Sequence, residues 1–495
     1  MNGRIGFDSE KYSRLQADEI RSRLSEFGGK LYMEIGGKIF DDYHAARVLP
    51  GFKPDSKIRM LSSMKDDLEA VVVVSCNDIE KSKVREDIGI TYDLEAMRMI
   101  DLYRSYGIKA DTVVLTMYTG QPAAESFRRR LEEDGVSVSL HRPIPGYPTD
   151  TALIVSDEGY GLNDYVKTEK PVVMVTGPGP GSGKMAVCLS QVYQDGRGGM
   201  RSGYAKFETF PVWNLPLNHP VNLAYEAATA DLGDKNMIDP YHMEAYGVSA
   251  INYNRDIETF PVLKAILDGL FGDSPYKSPT DMGINTVGRC IRDEEAVGEA
   301  SKREIVRRYF GISRDRMDGR VDVEAVKKVE LLMKQASTSP DDFELYRKVR
   351  ALAAKSKGPV AGAELPSGKI VTGKATDDLS AVSACLINAA KDMAGVSKSV
   401  KPIQSVMVDS IQMMKRDLIG NADTKLRADE MLVALAFSAR LDEDSKRTYD
   451  MIAELRGCDL HGSVVLYPQD ISMLRKLGLN VTSEPVHQTS TLFQS

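Results

Sequence analysis

The chain has 495 residues, of which 42% are hydrophobic and 27% charged, and a formal net charge of -7 at neutral pH. That is room for about three domains of ordinary globular composition, and an acidic chain lacks the basic face that a nucleic-acid partner requires. Five cysteines without C-x-x-C spacing make no disulfide framework, and no apolar run approaches the roughly 18 residues of a membrane span. The expectation is a cytoplasmic protein with neither nucleic acid nor membrane as partner.

The first third alternates strands and helices. Apolar runs at Lys30–Ile35, Ala70–Ser75, Thr112–Thr116, Val136–Leu140 and Val172–Val175 are separated by helical stretches such as Leu94–Tyr103 and Ala123–Leu131. Continuous apolar strands alternating with helices predict an α/β fold whose mostly parallel sheet is covered on both faces. Gly36-Gly37 after the first run reads as a hairpin turn with Ile39-Phe40 pairing back. This N-terminal α/β domain is expected over 1–195.

Its last strand leads into Gly177-Pro-Gly179-Pro-Gly181-Ser182-Gly183-Lys184-Met185, and a helical pattern follows. Glycines let main-chain N–H groups close on an anion, the helix N-terminus adds positive potential, and Lys184 adds a full charge. Gly177, Gly179, Gly181, Ser182, Gly183 and Lys184 are therefore the expected phosphate-binding residues. The motif is a variant of the usual phosphate loop. Five residues rather than four separate Gly177 from Gly183, and Met185 stands where a magnesium-binding hydroxyl is usual. A tight turn whose glycines serve strand–helix packing is the competing reading.

From about Asp195 to Arg292 tyrosine, proline, asparagine and histidine are dense and periodicity fades, so a middle region over 196–357 is expected to build a site and then turn helical. Arg201, Lys206 and Arg289 are its candidate anion partners, with Arg201 in a lid and Arg289 read as a buried charge in need of a partner. His219, Asp231 and His242 are acid–base candidates beside Arg289, and Glu226 with Asp239 the candidate metal pair, there to hold magnesium if ATP binds. Capping, turns and solvated faces account for the same residues equally well. The tyrosines, methionines and Trp213 of this region are compatible with a homo-oligomeric contact.

A smaller C-terminal α/β domain is expected over 358–495, with strands at Lys369–Thr372 and Ser463–Tyr467. Helices are read at Ala381–Ala394, Gln404–Leu418, Glu430–Leu441 and Ile471–Leu477, ahead of a polar, loose tail from Thr482. His461 and Ser463 share a side of an extended chain, as a nucleophile and its base would, although a turn histidine explains the pair more simply.

Several long motifs, Gly6–Tyr12, Phe40–Phe52, Asn77–Lys81, the Gly177–Lys184 loop and Leu477–Thr482, together resemble a bacterial family of this length defined by a domain of unknown function. The resemblance runs nearly end to end. Some members carry an ATP-dependent peptidase label, but this sequence has no His-Glu-x-x-His pair and no serine or cysteine protease signature. The resemblance therefore supports the architecture and leaves the activity open. A nucleotide- or phosphate-dependent enzyme, by phosphoryl transfer or ATP-driven ligation on a small molecule, is the leading expectation. A non-catalytic sensor of a phosphorylated metabolite and a metal-dependent hydrolase stand beside it.

Overall fold

A computed structural model describes residues 4–85 and 88–488. They divide into two compact units: one made of Ile5–Glu226 and Asp234–Ser301, the other of Arg4, the short segment Ala227–Gly233 and the described residues from Lys302 onward. The division falls near residue 301, whereas sequence texture suggested breaks near 195 and 357.

The first unit is built on seven parallel strands: β1 (Leu31–Ile35), β2 (Leu68–Ser75), β3 (Lys109–Thr116), β4 (Ser137–Leu140), β5 (Val172–Thr176), β6 (Gly203–Phe207) and β7 (Gly283–Ile284). Their order across the sheet is β7-β6-β1-β5-β2-β3-β4, and each neighbouring pair is parallel. Every residue of β2 and of β5 is buried. That is why both read as unbroken apolar runs rather than as alternation: a parallel sheet carries helices on both faces. Ile39 and Phe40 are not in a strand. Gly36-Gly37 thus ends β1 without forming a hairpin, because β1 already pairs with β5 and β6.

The chain passes from β1 over the place later taken by β5, adds β2, β3 and β4 outward, and then returns to fill the gap with β5. From there it moves to the other side with β6 and β7. The carboxyl ends of β1, β5 and β2 therefore flank the point where the winding reverses, where parallel sheets hold their ligands. The middle region is not a separate insertion: it supplies β6 and β7.

The second unit is α/β with a mixed four-stranded sheet. Val360–Glu364 lies between Ile370–Lys374 and Asp459–Gly462, antiparallel to both, and Asn480–Ser483 runs parallel to Asp459–Gly462. Ala381–Ala394 is a buried helix as expected. The strand expected at Ser463–Tyr467 lies four residues earlier, and Thr482, expected in the tail, is in the last strand. The end of that expected tail, 489–495, lies outside the described residues.

Candidate glycine-loop site

At the end of β5 the chain turns through Gly177–Gly183 into helix α1 (Lys184–Arg197). The loop is tightly held. A Cβ on Gly179 would meet the Tyr92 hydroxyl at 2.3 Å, and one on Gly177 the Val73 carbonyl at 2.4 Å. Thr116 Oγ1 donates to the Ser182 carbonyl at 2.7 Å, and Gly183 caps α1 with φ at +91°, a left-handed conformation that favours glycine. Packing thus accounts for part of the glycine content. It does not account for the polar groups the loop presents. Among the described residues, the main-chain N–H groups of Gly181, Ser182, Gly183, Lys184 and Met185 have no hydrogen-bond acceptor. Helix starts leave such donors for a cap, water or a ligand. Lys184 folds back over its own loop, with Nζ 3.3 Å from the Gly179 carbonyl and 3.4 Å from Ser182 Oγ. Burial lowers its pKa, and Lys206 lies close enough to push the same way while Glu34 opposes them.

Lys206 belongs to a group of charges on one face of the sheet. Tyr204, Lys206 and Glu208 alternate along β6 and its end, and Glu34 of β1 stands in register with Lys206. The Tyr204 hydroxyl donates to Glu34 Oε2 at 2.7 Å. Lys206 Nζ lies 2.8 Å from Glu208 and also bonds Asp256, in the first turn of helix α2 (Asn254–Phe271). Three carboxylates thus lie around one ammonium, which touches two of them. Burial is the largest influence on Lys206, yet Asp256, Glu208 and Glu34 overcome it and hold the ammonium well above its ordinary value. Burial drives the Glu208 carboxyl above its ordinary value; Asp256 adds to the rise, and Lys206 only partly opposes it. Of this group sequence reading found only Lys206. The missed signal was the alternation Tyr204-x-Lys206-x-Glu208 inside an otherwise apolar strand.

The other expected site residues are scattered. His242 and Arg289 line one cavity, which none of the loop residues enters. Arg289 is exposed, which corrects its reading as a buried charge. Arg201 cannot cover the loop. It precedes β6 at the amino-terminal edge of the sheet, where its stem packs near Gly28, and the 14 residues of α1 separate it from the loop by ~20 Å.

Asp239 is fully buried and caps the helix Pro240–Tyr246, accepting from the N–H groups of Tyr241, His242 and Thr280 and from the Thr280 hydroxyl at 2.6 Å. Glu226 accepts from the N–H of Asn236, so both carboxylates of the expected metal pair serve the local fold. His219 bonds Glu294 at 3.0 Å and accepts from the N–H of Val221. Asp231 lies in the second unit, paired with Arg308 at 2.5 Å. His461 is buried between Thr482 and Glu484, while Ser463 Oγ accepts from the N–H of Val360. The two therefore do not act on each other. No three His, Cys, Asp or Glu side chains gather as metal ligands, and no helix is long and apolar enough to cross a membrane, among the described residues.

Comparison with known proteins gives the same end-to-end picture as the sequence motifs. Residues 5–337 match the model of the N-terminal domain of unknown function DUF1846, and residues 341–493 match its C-terminal counterpart. The chain is 50% identical over 488 residues to UPF0371 protein str1377 of Streptococcus thermophilus (strain CNRZ 1066), covering 99% of each chain. It is equally similar, with the same coverage, to a UPF0371 protein of Streptococcus pneumoniae (strain JJA). The chain belongs to the DUF1846 family.

Proposed function

We propose that the protein is a phosphate-dependent small-molecule enzyme, of the phosphoryl-transfer or ATP-driven ligation type, with the Gly177–Lys184 loop as its phosphate site. The observation that carries this reading is the row of unpartnered N–H groups from Gly181 to Met185 at the carboxyl end of a central parallel strand, with Lys184 beside it. An anion there meets oriented amides, a helix start and an ammonium at once. The residues fit a phosphate group better than they fit magnesium, because Met185 offers no hydroxyl. Nucleotide, if it binds, supplies the transferable phosphoryl group; the chain supplies position and proton control. Burial favours the protonated form of Glu208, which suits it to give a proton to a leaving group, and the neighbouring Lys206 ammonium stabilises negative charge that develops nearby.

Lys184→Ala is expected to weaken ATP or inorganic phosphate binding by at least about 2 kcal/mol, the scale of a charge-assisted contact, measured calorimetrically or as a loss of ligand-induced thermal stabilisation. Unchanged affinity would take the loop out of the site. Glu208→Gln separates an enzyme from a sensor: binding persists and turnover of labelled nucleotide falls at least ~100-fold, the scale of general acid–base catalysis. Equal turnover would leave Glu208 without a chemical role.

A further inference from the structure

The cavity that holds His242 and Arg289 has a volume of about 290 Å³, near the lower end for small-molecule sites. Its walls come from the helix Ser9–Glu26, the loop after β6, the helix Pro240–Tyr246 and the turn after β7. These walls are pinned together. Gln16 accepts from the Thr286 N–H and hydroxyl at 3.0 and 2.8 Å, Trp213 Nε1 donates to the Asn285 carbonyl at 3.0 Å, and Lys11 Nζ donates to the Arg289 carbonyl at 2.6 Å.

One side is aromatic: Trp213, His242 and Tyr246 follow one another with ring centroids 6.1 and 4.8 Å apart. Most charges in the lining are already used. Arg23 donates to the Asp281 carbonyl and lies over the Tyr276 ring at 5.4 Å. The Asp281 carboxylate accepts from the Tyr246 hydroxyl and from the N–H groups of Lys277 and Ser278. Glu19, from the helix, and the Arg289 guanidinium, from the turn, make no hydrogen bond or close ion pair among the described residues; Arg23, which pairs with Glu26, reaches Glu19 only through its charge.

We propose that this cavity is a second small-molecule site, separate from the glycine loop, and that it takes an α-amino acid with an apolar side chain. Arg289 receives the carboxylate through its two-pronged guanidinium, Glu19 receives the ammonium, and the apolar side chain lies against Trp213 and Tyr246. A ligand with a single charge gives a hydrogen-bonded partner to only one of these two groups. A phosphate satisfies one and meets repulsion from the other. The site stands on its own geometry, whether or not the loop binds phosphate.

Trp213 is the only tryptophan of the chain, so its fluorescence reports on this cavity alone. L-leucine titrated into the full-length protein should change that emission saturably, while 3-methylbutylamine and 4-methylpentanoate, each lacking one charge, bind at least ~10-fold more weakly, as loss of one charge-assisted contact requires. Arg289→Ala should weaken L-leucine ~10-fold and leave the amine unaffected; Glu19→Gln should weaken L-leucine and leave the acid unaffected. No saturable response to L-leucine at concentrations around 10 mM would overturn the proposal. So would L-leucine binding as tight in either variant as in the wild type, or a response to inorganic phosphate that Arg289→Ala abolishes, which would make the cavity an anion site.

Discussion

The two units bury charge in opposite ways. In the first, Glu34, Glu208 and Asp256 surround Lys206, and only Glu208 and Asp256 touch its ammonium. In the second, Arg303 bonds Glu364 and Asp459, and Arg307 bonds Asp459 and Glu304, at 2.8–2.9 Å where Arg307 is the donor. Each carboxylate there touches at least one guanidinium, and Asp459 touches both. A guanidinium carries five donors in a fixed plane, whereas an ammonium is a compact point charge, and the titration follows from that difference. Burial alone would raise Asp459, but Arg307 and Arg303 overcome it and hold the carboxyl below its ordinary value. Burial does raise Glu208, because one shared lysine cannot offset it. One carboxyl is held toward its charged form by its partners; the other is pushed by burial toward its protonated form.

The largest expected effect lies in the arginine-held group. Asp459→Ala leaves two buried guanidiniums short of their shared partner and should cost about 3–5 kcal/mol, read from the urea midpoint of the whole protein. A loss below about 1 kcal/mol would show that the network relaxes or admits water, and the contrast would fail. Because the folded Asp459 titrates below its unfolded value of about 3.9, its contribution is fully present above that pH. It is lost as pH falls through the folded value.

Glu208→Gln should behave in the reverse sense. Removing a carboxyl whose charged form burial disfavours should leave stability at neutral pH unchanged or raise it by about 1 kcal/mol. In the wild type this group binds more protons folded than unfolded, so its contribution is present below about pH 4.3 and declines as pH rises toward the folded value. Urea midpoints measured across that window should decline with pH in the wild type relative to Glu208→Gln. Parallel curves would mean that Glu208 is ordinary, and that the two charge groups do not differ as argued.

The same contrast marks the limit of what could be read from residues alone. Of the five strands of the large sheet that were legible, β2 and β5 carried the clearest signal because both their faces are buried, and β1, β3 and β4 were found as short β-rich runs. β6 was not, since Lys206 interrupts it, and β7 has only two residues. The glycine loop was legible as a local pattern. The charge group beside it was not: Glu34, Glu208 and Asp256 lie far apart in sequence, and only the return of the chain from β5 to β6 brings them together. In the C-terminal sheet the buried strand Asp459–Gly462 carries Asp459 and His461, so the apolar run Val464–Leu466 after it gave the stronger but misleading signal. Asp239 stood in sequence between a metal ligand and a cap and is a saturated cap, a distinction that depends on Thr280, forty-one residues away.

The smallest effect tests whether a carboxylate chosen for its neighbours in sequence has any part in the chemistry. Asp231 lies in the turn Ala230–Leu232 and pairs with Arg308, with 37% and 24% of the two side chains exposed. Arg308 keeps a second anchor, donating from Nε to the Ala227 carbonyl at 3.1 Å, so removing the charge of Asp231 does not free the arginine. A partly exposed pair of this kind is worth about 0–1 kcal/mol and is screened by salt. Asp231→Asn should therefore lower stability by less than about 1 kcal/mol, with the difference shrinking at high ionic strength, and leave binding of ATP or phosphate unchanged. If the variant instead kept its stability but lost ligand affinity, Asp231 would belong with the loop, and the chemistry would not be confined to the charges gathered around Lys206.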